Sequence, residues 1–306
     1  MAINARKLHA LRRKMCSPGF CYAIAMILLA VLFCPLTGCR GSAAPARVPA
    51  TSQSQASVAG ETLWLTGNRL RLKTKIYRST KLTDHPILIV VLHGDSPFHP
   101  PSYQYEFARQ AAAQMENVIV AAVLRPGYAD DSGEKSDGIR GRTTGDNYTP
   151  QVVDAIAEVT EQLKKKFHPS ATLLAGHSGG AAIAANVLGR WPSAVNGALL
   201  VSCPCDLPAW RSHMLKMQGN PIWLAPVDSL SPLDLAGKVS ATVHVRMLVG
   251  KEDPVAPPEL TQRYTEALRN HSVDVTMTTA PGLKHDILLE PVAFAELEAL
   301  IKSVNQ

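Results

Sequence analysis

Five short stretches of this chain are apolar almost without a break: residues 86–92, 118–124, 171–175, 197–201 and 242–249. A strand carries that pattern when both of its faces are covered, as in a parallel sheet lined by helices. Segments of helical period lie between them, at 103–115, 150–167, 180–190, 258–270 and 292–304. The second of these opens on Thr149-Pro150, a capping residue followed by proline in the first turn, and closes on Lys164-Lys165-Lys166, cations that suit the negative end of a helix dipole. Residues 63–65 and 70–77 alternate instead, as an antiparallel edge pair does, and 273–279 reads as a more alternating last strand. The alternation of strand and helix predicts an α/β fold: one doubly wound, mostly parallel sheet with helices on both faces, occupying residues 61–306. Ligands of such folds bind at the carboxyl ends of the strands.

What precedes residue 61 is of another kind. Arg6, Lys7, Arg12, Arg13 and Lys14 stand before an apolar run from Phe20 to Cys34, and no acidic residue lies before Cys39. This is the pattern of a secretory signal, too short for a comfortable membrane span. It ends on Leu36-Thr37-Gly38-Cys39, which resembles the lipobox of bacterial lipoproteins. That resemblance implies a signal peptide over 1–38, a lipid on Cys39, and membrane attachment through it. With Arg40 rather than an aspartate next in line, the expected address is the outer membrane, facing the periplasm. Residues 39–60, small, polar and proline-containing, read as a flexible tether. The leader also accounts for the net charge of +6: without its five cations, 26 basic residues face 25 acidic ones. The body therefore has no electrostatic footprint for a nucleic acid. Of six cysteines, only Cys203 and Cys205 fall in the body. Neighbours on one strand face meet disulfide geometry poorly, and no further ligands stand at zinc-site spacing, so two buried free thiols are expected.

Gly176-His177-Ser178-Gly179-Gly180 follows the apolar run 171–175 and opens the helix 180–190. A G-x-S-x-G sequence in that strand, turn and helix context is a nucleophile elbow, in which flanking glycines let strand and helix approach around a strained serine. Here the chain resembles the α/β-hydrolase superfamily across its whole body, and the family order of nucleophile, acid and histidine can be followed downstream. Gly250-Lys251-Glu252-Asp253 after the strand 242–249 looks like the turn that presents the acid, which makes Asp253 the expected acid. Asp206, after the earlier strand, is its rival, and Glu252 a weaker one. His285, in Pro281-Gly282-Leu283-Lys284-His285-Asp286, is the expected base, while its neighbour Asp286 reads as a cap or loop contact. His93-Gly94-Asp95 resembles the family's oxyanion turn. The expected donors are the N–H groups of Asp95 and Gly179, with His93 as a structural residue.

The resemblance implies attack by Ser178 on a carboxylic ester through an acyl-enzyme, with no cofactor and no metal. Residues 231–255 look like the peptidase branch related to prolyl oligopeptidase, so a peptidase or amidase acting on short peptides is the alternative; a silent hydrolase-fold binding protein is a further one. Two segments can shape a substrate pocket. One is the loop 125–149, with Asp146 and Tyr148 as candidates; the other is a lid at 207–238, with Trp210.

Overall fold

The computed structural model describes residues 60–305. The expected signal peptide, Cys39 and all but the last residue of the expected tether lie outside that range. The chain forms β1 (Glu61–Gly67), β2 (Leu70–Arg78), β3 (Ile87–Leu92), α1 (Tyr103–Gln114), β4 (Val118–Val123), α2 (Pro150–Phe167), β5 (Ala171–His177), α3 (Gly179–Arg190), β6 (Gly197–Val201), α4 (Leu207–Gln218), α5 (Pro232–Leu235), β7 (His244–Gly250), α6 (Pro258–Asn270), β8 (Asp274–Ala280) and α7 (Pro291–Val304). The strands make one sheet in the order β1-β2-β4-β3-β5-β6-β7-β8. Only β2 runs antiparallel to its neighbours; from β4 across to β8 every pairing is parallel. This is the α/β-hydrolase fold.

Strand β3 shows why the apolar runs are unbroken. Leu88, Val90 and Leu92 point into a core shared with α2, α3 and α6, whereas Ile87, Ile89 and Val91 point into the core beneath α1 and α7. In that second layer Phe107 of α1 stacks on Phe294 of α7, ring centroids 4.8 Å apart. Both faces of the strand are dry, and alternation is lost. Helix α2 starts where expected, with the Thr149 hydroxyl accepting from the Val152 N–H, and ends on His168 in the left-handed region (φ 45°).

After β3 the chain turns one way, to β4, and after that the other way, to β5. The turns that follow β3 and β5 therefore part at their carboxyl ends and leave a crevice between them. The loop 125–149 folds over one side of it. Lys73 of β2, buried, anchors that loop through Asp130 and Glu134 at 2.5 Å each, and Tyr105 of α1 donates to the same Asp130. On the other side lies 207–238, with α4, a 3₁₀ turn at Pro221–Leu224, and α5.

The cysteine expectation is corrected. Cys203 and Cys205 are joined in a disulfide, their Cα atoms 5.1 Å apart. Strand β6 ends at Val201 and Ser202 leaves it with φ 50°, which puts both cysteines in the segment beyond the strand. The argument from strand faces fails because neither cysteine is on a strand.

Candidate active site

Ser178 sits between the last residue of β5 and the first of α3 with φ 52° and ψ −120°, a conformation costly for any residue with a Cβ. Its surroundings enforce it. A Cβ on Gly176 would lie 2.5 Å from the Gly180 carbonyl, and one on Gly180 would lie 2.4 Å from the carbonyls of Leu92 and His93. The elbow closes this tightly only with glycine at both positions.

Asp253 arrives from the turn after β7 and His285 from the turn after β8. Lys251 N–H to Ala280 O and Glu252 N–H to Leu283 O bind these two turns side by side. His285 Nδ1 donates to Asp253 at 2.8 Å, and the Ser178 hydroxyl lies 2.9 Å from His285 Nε2. The Asp253 side chain is fully buried, and its Oδ1 also accepts from the N–H groups of Val255 and Ala256. With Nδ1–H spent on the carboxylate, Nε2 is left as acceptor for the serine proton. Asp206, the rival carboxylate, is elsewhere: it caps α4 by accepting from Ala209 N–H and pairs with Arg263 at 2.8 Å. Asp286 is exposed.

The orientation of His285 is set from behind. Its carbonyl accepts from Ser202 Oγ and from His177 Nε2, each at 2.9 Å. A carbonyl can only accept, so His177 carries its proton on Nε2 and its Nδ1 is an acceptor, met by the Tyr103 hydroxyl at 2.9 Å. The Tyr103 oxygen in turn accepts from Gly94 N–H. Directions are fixed along the whole line, from the histidine loop through the elbow to the loop after β3. Burial, with the nearby His285 adding to it, pushes the His177 imidazole down to about 4, so it is neutral at ordinary pH. Nothing in the sequence singled out Tyr103 or His177; a histidine inside the elbow and a tyrosine opening α1 have no motif in common.

The loop after β3 is held just as firmly. His93 donates from Nδ1 to the Gly94 carbonyl and accepts the Arg125 N–H on Nε2, a structural role. Burial and the Arg125 charge hold its pKa well below the usual imidazole value. The Asp95 carboxylate accepts from Tyr128 and Tyr148 hydroxyls and from Gly145 N–H, and Arg125, fully buried, lies 3.0 Å away. The backbone N–H groups of Asp95 and Gly179 donate to no other protein atom among the described residues. Arg125 was missed at the sequence level, although a charge directly following a strand buried on both faces is a usable signal.

Of the three pocket candidates, Tyr148 and Trp210 are buried in the fold and Asp146 lines a cavity beside Asn147 and Thr149. Tyr148 is wholly buried and spends its hydroxyl on Asp95. Asp146 turns back on its own loop, accepting from the N–H groups of Arg142 and Thr143. Trp210 packs edge-on against Trp223 and donates to the Val255 carbonyl, so 207–238 packs on the body by its apolar face. Their composition suggested a lining, but aromatic rings in loops are as readily used to fasten the loop.

The fold is that of the α/β-hydrolases, and residues 89–237 match the Alpha/beta hydrolase family. No curated protein matches the sequence. Among solved structures, an esterase of Butyrivibrio proteoclasticus with bound ferulic acid superposes with a TM-score of 0.63 at 16% identity, covering 80% of this chain and 100% of that one. An esterase of Pyrococcus furiosus gives 0.60 at 15%, covering 86% and 97%. The acylaminoacyl peptidase of Pyrococcus horikoshii gives 0.60 at 11%, covering 80% of this chain, which spans 40% of the peptidase.

Proposed function

We propose that this protein is a serine hydrolase that cleaves a carboxylic ester through an acyl-enzyme on Ser178. The observation that carries the reading is the hydrogen-bonded line from Ser178 through His285 to Asp253, with two uncommitted backbone donors at its Ser178 end. Ser178 Oγ attacks the ester carbonyl as its proton passes to His285 Nε2, and Asp253 holds the tautomer and stabilises the imidazolium. The tetrahedral oxyanion accepts from the N–H groups of Gly179 and Asp95; each such donor is worth about 3 kcal/mol in the transition state. Collapse of the intermediate expels the alcohol, which takes the proton back from His285. Water then attacks the acyl-enzyme by the same route, releasing the acid and restoring the serine.

Peptide or amide hydrolysis is the second reading, supported by the likeness of the fold to an acylaminoacyl peptidase. The leader supports a further part of the proposal: a lipid on Cys39 tethers the enzyme to the bacterial envelope, at the outer membrane and facing the periplasm.

A fluorophosphonate probe tests the chemistry directly. Wild-type protein is expected to be labelled and to hydrolyse p-nitrophenyl esters, and Ser178→Ala to lose both with its melting temperature unchanged. An unlabelled, well-folded wild type removes the reading, and turnover of anilides at rates matching the esters transfers it to the peptidase alternative.

A further inference from the structure

The wall of the cleft next to the oxyanion loop has an unusual balance of charge. A pocket of about 170 Å³ opens there, with Asp95 and Pro97 on one side, the segment from Arg140 to Thr144 on the other, and the rings of Tyr128 and Trp223 between. One of its lining residues, Asp95, follows Gly94 in the chain, and a Cβ on Gly94 would lie 2.9 Å from Ser178 Cβ.

The Asp95 carboxylate near this pocket is spent: it accepts from two tyrosines and a backbone N–H and faces the buried Arg125. Asp146 accepts two backbone N–H groups of its own loop on Oδ2 and is in no ion pair among the described residues. The cations are not spent. Neither Arg140 nor Arg142 forms an ion pair with a carboxylate among the described residues. Among the described residues the Arg140 guanidinium donates only to the Ser96 carbonyl, at 3.3 Å, and lies 5.8 Å from the centre of the Tyr128 ring, and the Arg142 side chain makes no hydrogen bond. Two exposed guanidinium groups therefore border a small, ring-lined pocket whose lining carboxylate, Asp95, is already countered by Arg125. Guanidinium forks match the two oxygens of a carboxylate or a phosphate, and the aromatic walls accept the short apolar stem that would carry it.

We infer that the substrate carries an anionic, oxygen-rich group, a carboxylate or a phosphate on a short arm, bound in this pocket by Arg140 and Arg142. The inference rests on the serine-hydrolase reading of Ser178 and narrows its substrate class to esters with a charged arm.

Matched esters test it. p-Nitrophenyl butyrate is compared with mono-p-nitrophenyl glutarate and p-nitrophenyl 4-phosphonobutyrate, which place the anion on the acyl arm. Phenyl butyrate is compared with 3-carboxyphenyl butyrate, which places it on the alcohol arm. At least one anionic ester is expected to exceed its neutral twin in kcat/KM by ~10-fold, the worth of one hydrogen bond to a charged group. That ratio is expected to shrink as salt is raised and to fall to about one, at any salt, in the Arg140→Gln/Arg142→Gln double variant. Whether carboxylate or phosphonate is preferred identifies the anion, and which pair shows the effect identifies the arm. Equal rates within every pair, or a preference that survives the double substitution, overturns the inference while leaving the hydrolase reading in place. A wild type that hydrolyses none of these esters and takes no fluorophosphonate removes both. The two arginines are exposed, so the double variant is expected to melt with the wild type, and inhibition of wild-type butyrate turnover by free glutarate or inorganic phosphate supplies a reading that needs no variant.

Discussion

Asp253 and Asp206 both follow buried strands, and the fold puts them to different ends. Asp253 meets His285 at 2.8 Å inside the protein, whereas Asp206 caps a helix and pairs with a half-exposed arginine. Asp253→Asn is expected to lower kcat roughly 10⁴-fold by favouring the wrong tautomer of His285. Asp206→Asn keeps an N-cap and gives up one partly solvated ion pair, so it is expected to cost under about 1 kcal/mol of stability and little activity. Steady-state kinetics on one ester checks the ranking, and the reverse order would assign the acid to β6. His177 gives a second prediction. Its folded-state pKa, about 4, lies below the 6.5 of a free imidazole. Between these values the unfolded chain binds the extra proton, so the stabilisation is complete above about pH 6.5 and is lost as pH falls toward 4. Urea titrations are expected to show stability lost across that window, with His93, likewise depressed, contributing in the same direction, and His177→Gln to flatten its own share of roughly 3 kcal/mol. An equal slope in the variant would refute the assignment.

The elements were the legible part of the sequence, for a reason visible in β3: residues that must be apolar on both faces leave no doubt about what covers them. Thr149-Pro150 marked the start of α2 to the residue. The order of Ser178, Asp253 and His285 could be followed because each stands in a turn directly after a strand, the one kind of loop whose position the sheet dictates. Loop 125–149 could not be read, since Lys73, Asp130, Arg125 and Tyr148 find one another across long sequence separations. The Cys203–Cys205 pair was misread because both were treated as positions on one strand face, although the apolar run already ends at Val201. At this scale the tightest constraint is the seat of α3 on β3. Gly180→Ala would drive a methyl group into two backbone carbonyls, neither of which can swing aside as a side chain would. It is expected to destabilise the protein by about 3 kcal/mol, the upper range for overpacking, as read by thermal denaturation. A loss under 1 kcal/mol would show that the helix can lift from the sheet.

For the whole molecule, the proposed attachment and the proposed chemistry make separate predictions. Among the described residues no helix is long and apolar enough to cross a membrane. The proposed anchor at Cys39 therefore predicts that cells fed an alkyne fatty acid yield labelled full-length protein, and that Cys39→Ala is unlabelled yet still reacts with fluorophosphonate. Label retained in the variant would place the lipid elsewhere.

The sheet order has one more consequence, which concerns how the molecule comes into being. Ser178 and His285 are 107 positions apart in sequence, and they meet only through parallel pairings that run from β5 across β6 and β7 to β8. Such non-local pairings form late, whereas the β1–β2 hairpin and the helices form from neighbours in sequence. A newly made chain thus passes through its early, half-collapsed states with Ser178 apart from His285, and the proposed nucleophile meets its proposed base only when the last strands dock.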